Sequence, residues 1–127
     1  LMAKIEANLR RERRAQDVNA AQKRPRLYFG ALNIDLRQHS VRVGEQKVAL
    51  TKHEYGVVEF LALHPRQIFS REQIYEAVWG YDAEGSADVV MEHVRKARAK
   101  IKALNGADPI ATVWGIGYRW AAEEDMS

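Results

Sequence analysis

The side chains whose types and spacing could do chemistry in this sequence are basic, and they are concentrated in one segment. That segment contains Arg95, Lys96, Arg98, Lys100 and Lys102. Cations at this density suit contacts with the phosphates of a nucleic acid, because each contact releases a counterion. A solvated helix face that binds nothing is the alternative explanation, since charge runs are common on surface helices.

A second basic segment opens the chain, so the distribution of charge is more informative than its total. The net charge is only +3, but the pI is ≈ 9.3. Residues 1–26 carry eight cations against three acids, whereas Glu123, Glu124 and Asp125 form an acidic tail. The cations of the first segment are Lys4, Arg10, Arg11, Arg13, Arg14, Lys23, Arg24 and Arg26.

Cysteine and histidine usage argues against metal and thiol chemistry. The chain has no cysteine, which excludes a disulfide scaffold, a thiolate zinc site and a cysteine nucleophile. This composition fits a reducing cytosol, so we expect a cytoplasmic protein. The four histidines, at positions 39, 53, 64 and 93, lack the spacing of metal ligands, and His39 is expected in a turn. We expect no metal and no cofactor.

Enzymatic chemistry is also not indicated by the sequence. No nucleophile, base and orienting group occur at a spacing that would bring them around one cleft. The run Gly115-Ile116-Gly117 is followed by a strand-like segment, whereas a phosphate-binding glycine loop needs a helix start directly behind it. The chain is therefore predicted not to be an enzyme.

Length and composition indicate one globular domain. The chain has 127 residues, of which 46% are hydrophobic and 29% are charged, a balance that provides a core without a bias towards disorder. The longest apolar stretch, residues 57–63, is interrupted by Glu59 and is too short to cross a bilayer or to serve as a signal peptide. We expect no membrane partner.

The first 50 residues divide into three parts. Residues 1–14 place Leu1, Ile5 and Leu9 on one helical stripe, which is expected to pack against another domain or chain. Residues 15–26 show no regular pattern and are predicted to be a linker. Four short alternating runs follow and predict an antiparallel meander with one buried face. These runs are residues 27–29, 32–36, 40–43 and 46–50.

Two capping boxes predict two short helices. In Thr51-Lys52-His53-Glu54 and in Ser70-Arg71-Glu72-Gln73, the first and last residues can satisfy each other's backbone donors at a helix start. The first helix should end at His64-Pro65 and the second at Gly80. Two capped helices joined by a short loop indicate a helix-turn-helix.

A longer amphipathic helix and a hairpin complete the pattern. Residues 86–104 place Val90, Val94, Ala97 and Ile101 on one narrow apolar stripe, with basic residues on the other faces. Residues 110–114 and 118–121 then predict a β-hairpin with a glycine-bearing turn. Strand alternation predicts that Val113 points inward and that Thr112 and Trp114 point outward. Three helices followed by a hairpin indicate a winged helix.

Residues 27–120 resemble the effector domain of OmpR/PhoB-type response regulators. Each matching run is weak alone, but their order and spacing are specific. The runs are Leu50-Thr51-Lys52-His53-Glu54-Tyr55, Ser70-Arg71-Glu72-Gln73, Val78-Trp79-Gly80, His93-Val94-Arg95-Lys96-Ala97-Arg98 and Thr112-Val113-Trp114-Gly115-Ile116-Gly117-Tyr118-Arg119. The resemblance implies an α+β winged helix-turn-helix with an N-terminal four-stranded antiparallel sheet, three helices and a C-terminal β-hairpin wing.

The resemblance also implies a function and an organisation. It implies sequence-specific binding of double-stranded DNA by a two-component response regulator, with the third helix in the major groove and the wing at the minor groove. The winged-helix domain would span residues 27–122, residues 123–127 would be the acidic tail, and residues 1–14 would end the last helix of a receiver domain. The implied partners are DNA with direct-repeat sites, RNA polymerase, the upstream receiver domain and a cognate histidine kinase.

Helix geometry and the resemblance together suggest the contact residues. The side chains opposite the apolar stripe, Val89, Met91, Glu92 and Lys96, are expected at the base edges. The resemblance assigns the following residues to the DNA backbone: His93, Arg95, Arg98, Trp79, Thr112 and Tyr118. Trp79 and Tyr118 are explained equally well by core packing. The resemblance assigns contact with polymerase to a loop of Tyr81, Asp82, Ala83 and Glu84, although an exposed acidic loop could equally serve solubility alone.

Three positions depart from the family pattern. Asp88 stands where the family often has arginine, and it could cap the third helix. Met91 stands where an acidic or polar residue is common, which points to contacts with thymine methyl groups. Trp114 replaces a common arginine, so we expect it to lie against sugar and phosphate.

Two other functions would fit the same fold. A winged helix that binds proteins would be expected to lose the cations of the third helix, which this sequence keeps. The effector domain of a membrane-anchored one-component regulator would need a transmembrane helix after the domain, where this sequence has an acidic tail.

Overall fold

A computed structural model describes residues 26–80 and 85–124 of the chain. The predicted helix of residues 1–14, nearly all of the predicted linker, the predicted polymerase-contact loop of Tyr81, Asp82, Ala83 and Glu84, and residues 125–127 lie outside the described residues. The strands and helices are β1 (Arg26–Phe29), β2 (Leu32–Asp35), β3 (Ser40–Val43), β4 (Gln46–Val48), α1 (Lys52–Ala62), α2 (Arg71–Trp79), α3 (Val89–Ala103), β5 (Ile110–Val113) and β6 (Gly117–Trp120).

The predicted meander forms a four-stranded antiparallel sheet in the order β1-β2-β3-β4. Burial alternates along β1 and β2, as in β1, where Leu27 is buried and Tyr28 is exposed. β2 ends one residue earlier than predicted because the Asp35 carboxylate accepts hydrogen bonds from the backbone N–H groups of Arg37 and Gln38, which turns the chain. His39 follows in that turn with φ 54°, as its assignment to a turn predicted.

Both capping boxes are present in the structure. At the start of α1, Thr51 Oγ1 accepts from the Glu54 N–H and the Glu54 carboxylate accepts from the Thr51 N–H. Ser70 and Gln73 repeat this reciprocal pair at the start of α2. Each box satisfies two backbone donors that a helix start would otherwise leave unpaired, so both helices begin where the sequence predicted.

The long helix α3 buries the predicted stripe of Val90, Val94, Ala97 and Ile101. The helix begins at Val89, three residues later than predicted, after a turn in which the Ser86 carbonyl accepts from the Val89 N–H. The predicted cap at Asp88 is wrong, because the Asp88 backbone is already helical and its side chain makes no cap hydrogen bond. The hydroxyl of Ser86 instead accepts from the Asp88 N–H.

Strands β5 and β6 form a hairpin, the wing, which contacts both the helical part of the domain and the N-terminal sheet. Tyr118 and Phe69 exchange backbone hydrogen bonds, each 2.9 Å long, which joins β6 to the turn before α2. Gly117 is required there, because a Cβ atom at this position would lie 1.9 Å from the Phe69 carbonyl oxygen. Trp120 is buried, and its ring packs edge-on against Phe29 of the sheet with 5.1 Å between ring centroids.

The predicted facing is wrong for Thr112 and Val113, whereas Trp114 is exposed as predicted. Ile110 is buried and Thr112 bonds to a side chain of α3, so these two residues face inward. Val113 is only partly buried and lies on the opposite side of β5. Trp114 follows the strand, in the turn of the hairpin. None of the helices within residues 26–80 and 85–124 combines the length and hydrophobicity of a transmembrane segment.

Candidate nucleic-acid interface

The surface of α3 that faces away from the core combines apolar and charged side chains. Val89 is 37% exposed and Met91 is 48% exposed, so apolar atoms of both side chains face solvent. Glu92 and Lys96 are exposed beside them, one and two turns along the helix. The structure therefore brings the four predicted base-contact residues onto one solvent-facing surface, which we call the outer face of α3.

In the first half of α3, Glu92 pairs with two cations of the same helix, Arg95 and Lys96. Glu92 accepts two hydrogen bonds from Arg95, at 2.6 and 3.0 Å, and lies 3.7 Å from Lys96 Nζ. The Arg95 hydrogen bond is the main cause of a lowered pKa at Glu92, and the same contact raises the pKa of Arg95. All three side chains are exposed, so water and salt screen these pairs and a phosphate could replace the carboxylate.

Arg98 is held differently from Arg95. Its guanidinium donates to Asp108 Oδ2 at 2.9 Å and to Thr112 Oγ1 at 2.8 Å, and only 28% of the side chain is exposed. A guanidinium has five N–H donors, so these contacts leave donors for a further acceptor. Arg98 thus joins α3 to the wing and to the segment before it. Thr112, a predicted backbone-contact residue, already uses its hydroxyl oxygen in this joint.

Lys100 belongs to the basic run, but its ammonium group pairs with a buried carboxylate. Its Nζ lies 2.6 Å from Glu54 Oε1, and the Glu54 side chain is only 3% exposed. Burial alone would raise the pKa of Glu54, but hydrogen bonds from Lys100 and from the Thr51 backbone N–H outweigh burial and lower it. Sequence reasoning recognised Glu54 only as part of a capping box. The acidic side chain that pairs with Lys100 lies 46 positions earlier in the chain, so no local pattern predicts the contact.

Trp79 and His93 lie in an aromatic cluster at the start of α3. The Trp79 ring stacks on His53 and on Tyr75, with centroid distances of 4.5 and 5.3 Å, and the His93 ring meets it edge-on at 4.9 Å. Trp79 therefore has a packing role, whether or not it also contacts DNA. His53 was missed by sequence reasoning. Its pKa is lowered by burial first, then by His93 and Lys52.

The orientation of His93 determines which of its ring nitrogens could reach a phosphate. His93 Nδ1 lies 2.8 Å from the backbone carbonyl oxygen of Val89. A carbonyl only accepts, so this nitrogen carries the hydrogen in the contact. In the neutral ring, Nε2 is then an acceptor, and only the protonated ring can donate from Nε2 to a phosphate.

The wing, α2 and α3 border an open cleft of ≈ 420 Å³. Trp114 at the hairpin turn is 88% exposed and Ile116 is 60% exposed, so neither residue is part of the core. Tyr118 is half-buried, and its backbone pairs with Phe69. The cleft is lined by Arg71, Glu72, Met91, Thr112, Val113, Trp114, Gly115, Ile116, Gly117 and Tyr118.

Arg71 is a second residue that sequence reasoning missed. It is the first residue of α2, and its guanidinium reaches the first turn of α3, where it contacts Met91 and Asp88. No local pattern predicts the contact, because Met91 lies 20 positions after Arg71 in the chain. Among residues 26–80 and 85–124, no three His, Cys, Asp or Glu side chains form a group that could hold a metal ion.

Comparison with known sequences finds relatives among transcriptional regulatory proteins. Residues 44–120 match the family model described as "Transcriptional regulatory protein, C terminal". The chain is 42% identical over 121 residues to the transcriptional regulatory protein SpaR of Bacillus subtilis, covering 94% of this chain and 51% of SpaR. It is 34% identical over 119 residues to SrrA of Staphylococcus aureus (strain NCTC 8325 / PS 47), covering 89% of this chain and 49% of SrrA. The chain spans about half the length of these curated relatives.

Solved structures with the same fold include two that contain DNA. The DNA-binding domain of the response regulator AdeR, in complex with an intercistronic region, has a TM-score of 0.66 and 25% identity, over 76% of this chain and 99% of that one. The DNA-binding domain of Klebsiella pneumoniae RstA, in complex with the RstA box, has a TM-score of 0.64 and 28% identity, over 76% and 96%.

Proposed function

The chain belongs to the family of OmpR/PhoB-type effector domains, the C-terminal domains of transcriptional regulatory proteins, and from this premise we propose how it binds DNA. It recognises a specific double-stranded sequence with α3 in the major groove and the wing at the minor groove. The observation that supports this proposal best is the outer face of α3, where Val89 and Met91 are exposed beside ion pairs that a phosphate can exchange.

Base recognition is assigned to the outer face of α3. Met91 and Val89 would contact thymine methyl groups, because their exposed apolar atoms have no polar group to offer a base edge. Lys96 would donate to a guanine, the base with two major-groove acceptors. Glu92 would accept from a cytosine amine once Arg95 turns towards a phosphate. These four residues would carry the sequence preference of the domain.

The backbone contacts would surround this face. Arg95 and His93 would bind phosphates on the two sides of α3, and Arg98 would add a contact through donors that Asp108 and Thr112 leave free. The other residues proposed to lie against sugar and phosphate are Trp79, Thr112, Trp114 and Tyr118. Trp114 supports this assignment most directly, since its exposed ring has an apolar face and one indole donor.

The regulatory context is proposed from the family. The domain would be joined through the linker to a receiver domain that a histidine kinase phosphorylates in the cytoplasm. Dimerisation of the receivers would raise the effective concentration of two effector domains on direct repeats. Tyr81, Asp82, Ala83 and Glu84 would contact RNA polymerase. The membrane-anchored alternative is not needed to explain any of the contacts described above.

Selection of bound duplexes from a random DNA pool, followed by titration with salt, tests the proposed function. We expect one selected sequence, and an affinity that falls with a log-log salt slope of about −4 to −5 if on the order of five phosphates are neutralised. Lys47→Ala is the matched control, because Lys47 is an exposed cation of the sheet, and it should leave the slope unchanged. A flat salt response on selected DNA, or equal affinity for heparin, would contradict the proposal.

A further inference from the structure

We propose that Arg71 is a specificity-determining positioning residue that acts by holding the side chain of Met91 in place on the outer face of α3. This inference rests on the proposed function. Arg71 Nη1 lies 3.2 Å from Met91 Sδ and 3.4 Å from Asp88 Oδ1. One guanidinium thus joins the start of α2 to two side chains of the first turns of α3.

The backbone of Arg71 is fixed, which allows its side chain to restrain another side chain. The residue follows Ser70, whose hydroxyl and backbone are both used in the capping box of α2, so the first turn of α2 has a fixed conformation. Glu72 Oε2 lies 3.6 Å from Arg71 Nε, on the other edge of the same guanidinium. The planar group therefore has an acidic neighbour at each edge, Glu72 on one side and Asp88 of the α3 start on the other.

Met91 needs such a restraint to discriminate between bases. Its side chain is unbranched, rotates about three bonds and is 48% exposed, so without a partner it would adopt many conformations. A thymine methyl is recognised only if the methionine atoms occupy one place. The contact between the guanidinium and the thioether sulfur, a weak acceptor, directs Met91 towards the cleft that Arg71 and the wing also line.

Asp88 helps to orient the Arg71 side chain towards Met91. Its carboxylate contacts the same nitrogen that meets Met91, so it holds the guanidinium over the first turn of α3. Both side chains are exposed, at 44% for Arg71 and 72% for Asp88, so this pair orients the guanidinium in the free domain without blocking a phosphate. A chain with arginine at position 88 would lack this orientation.

Site selection with the 127-residue chain and its variants tests this inference. We expect Arg71→Ala and Met91→Ala to relax preference at the same base position, from about fivefold over the next base to less than about twofold. The double variant should relax it no further, because the two residues act through one contact. Arg71→Lys should lose the preference as Arg71→Ala does, since lysine keeps the charge without the planar fork. Lys47→Ala is again the control, and thermal unfolding verifies that each variant folds.

The outcomes separate the inference from the function on which it rests. If Arg71→Ala weakens binding to all sequences alike and leaves every base preference intact, Arg71 is a phosphate ligand and the inference is wrong. Retention of the preference in Arg71→Lys but not in Arg71→Ala would also overturn it, because charge alone would then suffice. If the unaltered chain selects no sequence at all, the proposed function fails first.

Discussion

The two halves of α3 use their charges in different ways. In the first half, Glu92 pairs with Arg95 and Lys96 of the same helix, and all three side chains are exposed. In the second half, each paired cation reaches another element: Arg98 reaches Asp108 and Thr112, and Lys100 reaches Glu54 of α1. The first set can be exchanged for a ligand without disturbing the fold, whereas the second set holds the helix in its place.

This difference shows why a basic run is not by itself a binding site. Arg95 and Arg98 lie three positions apart and are identical in type, but their surroundings give them different roles. Exposed pairs are weak and contribute little to stability. Pairs that are partly buried and bridge elements contribute more, and their loss leaves a partner without compensation. The predictions below test this distinction, from the largest expected effect to the smallest.

The largest effect is expected at Glu54, which anchors the second half of α3. Glu54→Ala removes the partner of Lys100 and one half of a capping box, so the free energy of unfolding should fall by about 2–4 kcal/mol. Urea denaturation measures the change, and Glu45→Ala, at an exposed acid in a turn, is the control. A loss no larger than that of the control would remove the distinction between the two halves.

The pH dependence of stability provides an independent check on Glu54. Its pKa in the folded protein is lower than the ordinary value of 4.5, so the folded state holds its proton less tightly than the unfolded state does. The contribution to stability is therefore present above pH 4.5 and is lost as the pH falls through the lowered pKa. Glu54→Gln should reduce this loss of stability at low pH. If stability falls at low pH as steeply in the variant as in the unaltered chain, the contact between Glu54 and Lys100 does not contribute to it.

Lys96 tests the first half of α3. Lys96→Ala should relax preference at one base position and weaken binding to the best site by about 1–3 kcal/mol. Stability should change by less than about 0.5 kcal/mol, since the only described partner of Lys96 is the exposed Glu92 at 3.7 Å. Site selection measures the base preference, a binding titration on the best site measures the affinity, and urea denaturation measures the stability. A variant that loses stability but keeps its base preference would show that Lys96 holds the helix in its place, as is argued for Arg98 and Lys100.

Arg98 should affect both properties. Arg98→Ala is expected to weaken binding to all sequences alike and to lower the free energy of unfolding by about 1–2 kcal/mol, because Asp108 and Thr112 lose their partner. Arg95→Ala is the matched comparison, since it removes the same charge from an exposed pair and should leave stability unchanged. If Arg98→Ala alters the selected sequence while Lys96→Ala does not, α3 lies in the groove in a different rotation.

The smallest effect is expected at Trp114, which belongs to neither half of α3. Trp114→Ala should lower affinity by roughly 1 kcal/mol on all sites with an unchanged salt slope, because no charge is removed. Trp114→Arg should strengthen binding, steepen the slope by about one unit and add a preference for A·T pairs. Fluorescence titrations at several salt concentrations measure both variants. Since the ring is 88% exposed, unfolding of the alanine variant is not expected.

Local patterns in the sequence were sufficient for the starts of α1 and α2 and for the buried stripe of α3. The capping boxes at Thr51 and Ser70 involve residues three positions apart, so a linear reading finds them. The same reading failed for Val113, because a four-residue strand has too few residues to fix which side faces inward. It also failed for Asp88, where a competing hydroxyl at Ser86 takes the capping role.

The interface was less predictable than the fold for a physical reason. Exposure of Val89, Met91 and Lys96 follows from helical periodicity, so sequence reasoning could place them on one face. The partners of Arg71 and Lys100 depend instead on how helices pack, and those residues are 20 and 46 positions away. Contacts of this kind have no local signal.

The close approach of Gly117 to Phe69 has a consequence for how such domains diverge. The wing is tied to the turn before α2 by backbone atoms, and glycine alone leaves room for the joint. The joint is therefore independent of the side chains at residues 114–116, which lie beyond it in the hairpin turn. Substitutions there can accumulate in evolution without altering the angle between the wing and α2. Residues that face a target can therefore change while the backbone joint between the wing and the turn before α2 stays the same.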